Sequence, residues 1–422
     1  MRVASALLAG GLAFALGAAA WLGVRDAPRA PSPTPGTSAT PTPSPPPTAA
    51  ARSLALGITE PNPNFLWPAG REVAAPFDRW RESLARIRPA YYRLMVDWRV
   101  LQPGPDAPVD LSAHQSGCMR AERPCAGWAG VREQLRALAA RQRDGGWDGM
   151  VVITGTPDWA AQPAGGCERP GTALRSRRVR GEALPAYRRL VAALIAAARE
   201  EGARLTYWSP WNEPNHPYFL SPQRSECDRS APSGAPVMYA ELARAMLSEL
   251  DAAEGDQRLV LGELAGLTEP TRHRTTVAEF IAGLPRDLVC RADVWGQHAY
   301  AGGADPVDEA ATGLADQDCP RVPPIWITET GAGTPPEELS AARTFGDERA
   351  ACAELERRLA DWYEDPRVAA AFQYTLREDD RFRTGLVTTD LERARTALGL
   401  WEAWGARGSP GDPPPAAACG AR

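Results

Sequence analysis

The chain has 422 residues, 44% hydrophobic and 23% charged, ample for one large α/β barrel to bury a sizeable core. A net charge of −5 gives no electrostatic case for nucleic acid or an anionic membrane surface. All 47 basic residues are arginine, so Schiff-base, pyridoxal-phosphate and P-loop chemistry, each of which needs a lysine amine, are excluded.

At the start, Arg2 precedes an apolar run from about Val3 to Val24, and Ala18, Ala19 and Ala20 offer a small-residue cleavage site. Residues 1–25 therefore read as a signal peptide. The run also approaches the roughly 20 residues that span a bilayer, so an N-terminal membrane anchor is the other reading. Both place the rest of the chain outside the cytoplasm, secreted or tethered to a membrane. Residues 26–52 are expected to be a Pro/Ser/Thr-rich disordered linker. Their stretch 27–50 holds nine prolines and no aromatic residue, so burial offers nothing to offset ordering.

From 53 to 408 short apolar runs alternate with amphipathic helical stretches. LALGIT comes first. YYRLMVDW follows the helix FDRWRESLARI, and GMVVITGT follows VREQLRALAARQR. LTYWSPWNE follows LPAYRRLVAALIAAAREEG, with Gly202 as its C-cap. RLVLGELAG follows MYAELARAMLSELDAAEG, with Gly255 in the same role. ADVWGQHAY, PIWITETG and VAAAFQYTL complete eight strands, and a last helix spans about 391–405. The strands lack polar alternation, as when both faces are buried. Eight βα units predict a (β/α)8 TIM barrel with elaborated loops. A doubly wound sheet would want a GxGxxG turn after its first strand, and none is present. Residues 409–422 are a loop-like tail, pinned by Cys419.

Eight cysteines in an oxidising compartment imply disulfides. Cys118 and Cys125 are placed to close a small loop, and Cys167 and Cys227 to tie two Gly/Pro/Ser-rich loops together. The four histidines form no HxH or HExxH pattern, so no metal centre and no cofactor are expected. A monomer is expected.

Polar residues at the C-terminal ends of barrel strands read as a site. In chain order they are Arg93, Asp97 and Trp98; Asp158 and Trp159; Trp211, Asn212 and Glu213; Glu263; His298 and Tyr300; Glu329; then Gln373, Tyr374, Arg377 and Glu378. Glu213 and Glu329 each end a strongly apolar run just before a breaker, Pro214 or Gly331. Pro214 biases Glu213 toward an extended backbone. For Asn212 and Glu213 both to face a pocket, their strand must distort as a bulge does. Cleaving a glycosidic bond needs one group to protonate the leaving oxygen and another to meet the cationic sugar carbon. Glu213, walled by aromatics and prolines, is expected to hold its proton and act as the acid. Glu329, with Arg93 and Tyr300 as neighbouring donors, is expected to stay ionised and act as the nucleophile. Trp67, Trp98, Trp159 and Trp211 are candidate platforms for the apolar faces of sugars, whereas Trp295 and Trp326 are expected in the core. His298 and Tyr300 share a strand face. Glu263 is an extra acid, open to either a functional or a loop role.

Asn212-Glu213 closing the fourth strand, His298-x-Tyr300 the sixth and Glu329 the seventh resemble the clan-A retaining glycoside hydrolases, which include the cellulase and β-xylosidase families. The likeness covers about residues 53–406. It implies Glu213 as acid/base, Glu329 as nucleophile and Asn212 as partner of the sugar 2-hydroxyl, with Arg93, His298 and Tyr300 around them and an oligo- or polysaccharide as substrate. The sequence departs in two places. Many relatives carry a Trp at the end of strand eight where Tyr374 stands here, and many cellulase relatives carry a His at the end of strand three where Asp158 and Trp159 stand. A non-catalytic carbohydrate-binding or cell-wall barrel, and a transglycosylase using the same residues, are the rival readings.

Overall fold

A computed structural model describes residues 52–73, 75–113, 130–333, 347–379 and 382–420. They belong to one compact unit, Ala50–Arg422. The expected leader, nearly all of the linker, His114 and the Cys118–Cys125 pair lie outside the described residues.

Eight parallel strands close into a barrel in sequence order, β1 to β8. They are β1 Ala55–Thr59, β2 Tyr91–Asp97, β3 Asp148–Thr154, β4 Leu205–Ser209, β5 Arg258–Leu264, β6 Val294–His298, β7 Ile325–Thr330 and β8 Val368–Tyr374. Helices alternate with them: α1 Ala75–Arg86, α2 Gly130–Gln142, α3 Leu184–Glu201, α4 Ala235–Ala252, α5 Val277–Ala282, α6 Val307–Asp316, α7 Glu348–Glu364 and α8 Thr396–Gly405. This is the (β/α)8 architecture expected from the alternation. In α3, Tyr187, Leu190, Val191 and Leu194 recur at helical spacing and are buried, and Gly202 ends the helix at φ 71°. Gly255 does not play that part. The helix α4 already ends at the extended Ala253, and Gly255 serves the turn beyond at φ 123°.

Inside the barrel, Tyr91, Tyr207, Trp326 and Phe372 pack ring against ring, with Trp326 centroid distances of 4.4, 4.4 and 5.6 Å to the other three. Met150, Val260, Val294 and Ala370 fill in around them. Gly57 makes room for this plug, because a Cβ there would lie 2.2 Å from the Phe372 ring. Trp295 faces the other way, into the layer between strands and helices. The plug occupies the level of Tyr91 at the start of β2, and Arg93 stands one inward layer above it, toward the C-terminal strand ends.

The register shifts in β4, β5, β7 and β8, and two of these shifts bear on the site. Between Gly262↔Gly296 and Leu264↔Gln297, β5 advances two positions while β6 advances one. Between Gln297↔Ile327 and His298↔Glu329, β7 advances two while β6 advances one. Side chains alternate along a regular strand, so one inserted residue reverses the face of the residues beyond it. Glu263 and Glu329 stand at these insertions.

Disulfides join Cys167 to Cys227, Cys290 to Cys319 and Cys352 to Cys419. The first ties the loop after β3 to the loop after β4, and the last pins the tail to α7. Among the described residues no helix is long and apolar enough to cross a membrane.

Candidate active site

Arg93 is the hub. It is the third residue of β2, one interior layer above Tyr91, and its side chain is 0% exposed. Its guanidinium meets four residues, the longest contact being Nη1 to Thr59 Oγ1 at 3.5 Å. Nη1 lies 2.8 Å from Glu329 Oε1. Nη2 donates to Asn212 Oδ1 at 2.7 Å and to Glu263 Oε2 at 2.5 Å, and Nε donates to the same Glu263 oxygen at 3.0 Å. A cation this deep is tolerable only with such partners. Burial works against its charge, and Glu263 and Glu329 hold it protonated.

Glu213 lies past the end of β4, which stops at Ser209. The turn is fixed by two backbone bonds: Asn212 N donates to Ile153 O at 3.0 Å and Glu213 N to Glu263 O at 2.9 Å. Glu213 therefore sits at φ 41°, not in the extended conformation that Pro214 favours. The expected distortion at the strand's end is this left-handed residue just beyond β4, and the strand's own register shift lies earlier, between Leu205 and Tyr207. Asn215 holds the turn down. Its Nδ2 donates to Ala265 O at 2.9 Å and Thr275 O at 3.2 Å, and its Oδ1 accepts from Ala265 N at 2.9 Å.

His298 closes the ring of polar groups. Its Nδ1 lies 2.8 Å from Glu213 Oε1 and 3.5 Å from Glu329 Oε2, and its Nε2 lies 3.6 Å from Glu263 Oε2. The strand β6 ends at His298, so Tyr300 is in the turn beyond it. Even so, the Tyr300 hydroxyl donates to Glu329 Oε2 at 2.6 Å. Glu213, His298 and Glu329 each bring one donor atom to within 4.8 Å of the others. A metal ion could use such spacing, although the Arg93 cation, 2.8 Å from Glu329 Oε1, would repel it.

The carboxyls are pushed apart. Burial raises Glu213, with the His298 hydrogen bond pulling the other way. Burial would raise Glu263 too, but Arg93 and His298 outweigh it and hold it well below the usual carboxylate range. Burial works against charge on His298, yet Glu329, Glu213 and Glu263 together lift it to about 10.

The aromatic candidates divide. Trp98 and Trp211 are 0% exposed, so neither offers a face to a ligand. Trp98 packs edge-on against Trp159 and Tyr187, and the Trp211 indole donates to Phe219 O at 2.8 Å. Trp67 stands in the helix layer, bonded to Glu133 of α2. Trp159 is half-buried, its indole tied to Gln102 O at 2.9 Å. Tyr374, at the end of β8, stands beside Glu329, and burial with that carboxylate raises its hydroxyl far above the ordinary tyrosine value. Phe382, which the sequence did not single out, packs edge-on against both Tyr300 and Tyr374, at 4.9 and 5.6 Å. Glu263 and Asn215 also gain parts that spacing alone did not assign. One more carboxyl is sealed nearby. Glu60, just after β1, accepts from Asn62 N and Arg377 N at 2.9 Å each, and burial pushes it up to about 7.

No protein-family model matches the sequence, and a search of curated proteins finds no match. Solved structures do match. A glucosidase from Croceicoccus marinus superposes with a TM-score of 0.53 at 13% identity, over 85% of this chain and 68% of that one. A GH30 endoxylanase from Clostridium papyrosolvens C71 gives 0.51 at 12%, over 86% and 73%. The catalytic domain of GH30 xylanase C from Talaromyces cellulolyticus gives 0.50 at 14%, over 84% and 76%. At these identities the likeness shows the fold: this chain has the eight-stranded parallel barrel of those hydrolases.

Proposed function

We propose that the protein is an exported retaining O-glycoside hydrolase acting on an oligo- or polysaccharide by double displacement. One observation carries the reading. Glu213 and Glu329 bring carboxyl oxygens to within 4.8 Å at the C-terminal mouth of the barrel, in unlike surroundings. Retaining enzymes hold their two carboxyls about 5–5.5 Å apart, whereas inverting ones leave roughly 6.5–9.5 Å for a water. Glycoside hydrolases with the same fold add weight on the side of carbohydrate chemistry. Disulfides at Cys167, Cys290 and Cys352 suit an oxidising compartment outside the cytoplasm.

In the first step Glu213 gives its proton to the glycosidic oxygen as that bond breaks, and a Glu329 oxygen bonds to the anomeric carbon. Arg93 and Tyr300 hold the attacking carboxylate by both oxygens. Asn212 commits its carbonyl oxygen to Arg93, which leaves its amide nitrogen as a donor for the sugar 2-hydroxyl. In the second step Glu213, now ionised, takes a proton from water. The water oxygen replaces Glu329 on the anomeric carbon, and the protonated acid is restored. His298 stays beside Glu213 in both states and offsets its charge in the second.

A panel of aryl glycosides, and then a fluoro-sugar that traps the covalent intermediate, tests the assignment. The wild type should hydrolyse at least one substrate and be labelled on Glu329. Glu329→Gln should lose turnover and label while keeping its far-UV spectrum. Full activity in that variant would refute the role.

A further inference from the structure

We propose that Glu263 is a positioning residue for the catalytic pair: a sealed carboxylate that holds Arg93 in register and supplies the counter-charge that keeps the site's single acidic proton on Glu213. The assignment depends on the protein being a glycosidase.

The backbone is built to deliver Glu263. It is the additional residue of β5, at φ 54°, and comes directly after Gly262 at φ 92°. A Cβ on Gly262 would lie 2.4 Å from Gly296 O, and a Cβ on Gly296 would lie 2.5 Å from Glu263 Oε1. Gly296 thus leaves room for the carboxyl itself, and Gly262 lets the two strands stay close where it is delivered.

Titratable and charged groups face Glu263 from every side. From β2 comes Arg93, bonded at 2.5 and 3.0 Å. From the turn after β4 comes Glu213, whose backbone N donates to Glu263 O. From α4 comes Tyr239, whose hydroxyl accepts from Gly262 N at 3.0 Å. From β6 comes His298, with Nε2 at 3.6 Å. From β7 comes Glu329, sharing Arg93. With Arg93 and His298 as cations and Glu263 and Glu329 as anions, the charges cancel. A third negative charge would have no partner, so Glu213 is the carboxyl left to carry a proton. A merely structural side chain at this depth would be better apolar, since desolvating an ion pair is costly.

Glu263→Gln keeps the shape and removes the charge. The two cations then outnumber the anions, so a proton leaves the site at lower pH. The His298 imidazole, monitored by NMR, should titrate about one pH unit or more below its wild-type midpoint. The alkaline limb of kcat/KM should move to lower pH with it. Glu263→Asp keeps the charge and shortens the reach. Its alkaline limb should stay in place while kcat falls by ~10²-fold from a displaced Arg93. An unchanged His298 midpoint in folded Glu263→Gln overturns the proposal. If that variant does not fold, wild-type kcat in Glu263→Asp overturns it. A wild type that cleaves no glycoside sinks the reading of the function instead, and the His298 titration still decides the part of Glu263.

Discussion

Three glutamates share one small chamber with one arginine and one histidine, and their neighbours rather than their chemistry separate them. His298 faces all three, but Glu263 and Glu329 also lie against Arg93, whereas among the described residues the Glu213 carboxyl has only His298 at bonding distance, with burial raising it. Only a carboxyl that keeps its proton can serve a leaving oxygen. As pH rises through the elevated Glu213 value the acid form is lost, so kcat/KM should fall on the alkaline side. Glu213→Gln should remove that limb and lower hydrolysis of poor leaving groups by ~10²–10⁴-fold, with dinitrophenyl glycosides affected far less. A pH–rate profile with the wild-type limb intact would contradict the assignment. Most residue types of this chamber were legible in the sequence, because Glu213, His298 and Glu329 close apolar runs; Arg93, expected near the end of β2, instead stands third of its seven residues. Which tryptophans turn toward a ligand was not legible. Trp98 and Trp211 sit at strand ends as the site does, but a one-residue change of direction there decides between pocket and core, and pattern does not record it.

At the level of the strand, alternation explains what could be read and what could not. Tyr91 and Arg93 share a face of β2, Val294 and His298 a face of β6, and Phe372 and Tyr374 a face of β8, so simple period-two reasoning places all three polar residues inward. Glu263 and Glu329 break that rule. Trp326 points inward on β7, and a regular strand would send Glu329 outward; the inserted residue reverses it. Such insertions leave little trace in sequence beyond a glycine such as Gly262. Gly262→Ala should cost about 1–3 kcal/mol, from φ 92° and the contact with Gly296 O, and should impair activity by moving Glu263. Denaturant titration reads the first effect, and an unaltered midpoint would show that β5 adapts.

For the whole molecule, the eightfold alternation of strand and helix carried the architecture, because closure of a parallel sheet demands it of every unit. Disulfide pairing was legible in part. Cys167 and Cys227 join as their loops suggested, whereas the Cys290–Cys319 pair and the Cys352 partner of Cys419, 67 positions away, were not assigned, because the folded barrel brings them together. Replacing both Cys167 and Cys227 with Ser should cost about 2–4 kcal/mol. Because that bridge ties the loops after β3 and β4, a thermal melt of the double variant should fall, and reductant should lower the wild-type melt by more than that of the variant. Equal shifts would show that the bridge adds nothing to stability. The aromatic plug has its own consequence. With Tyr91, Tyr207, Trp326 and Phe372 sealing the floor, the chamber opens upward, at the strand ends. Under the proposed double displacement, the incoming water must follow the path that the departing half of the sugar chain has left, once the covalent intermediate has formed.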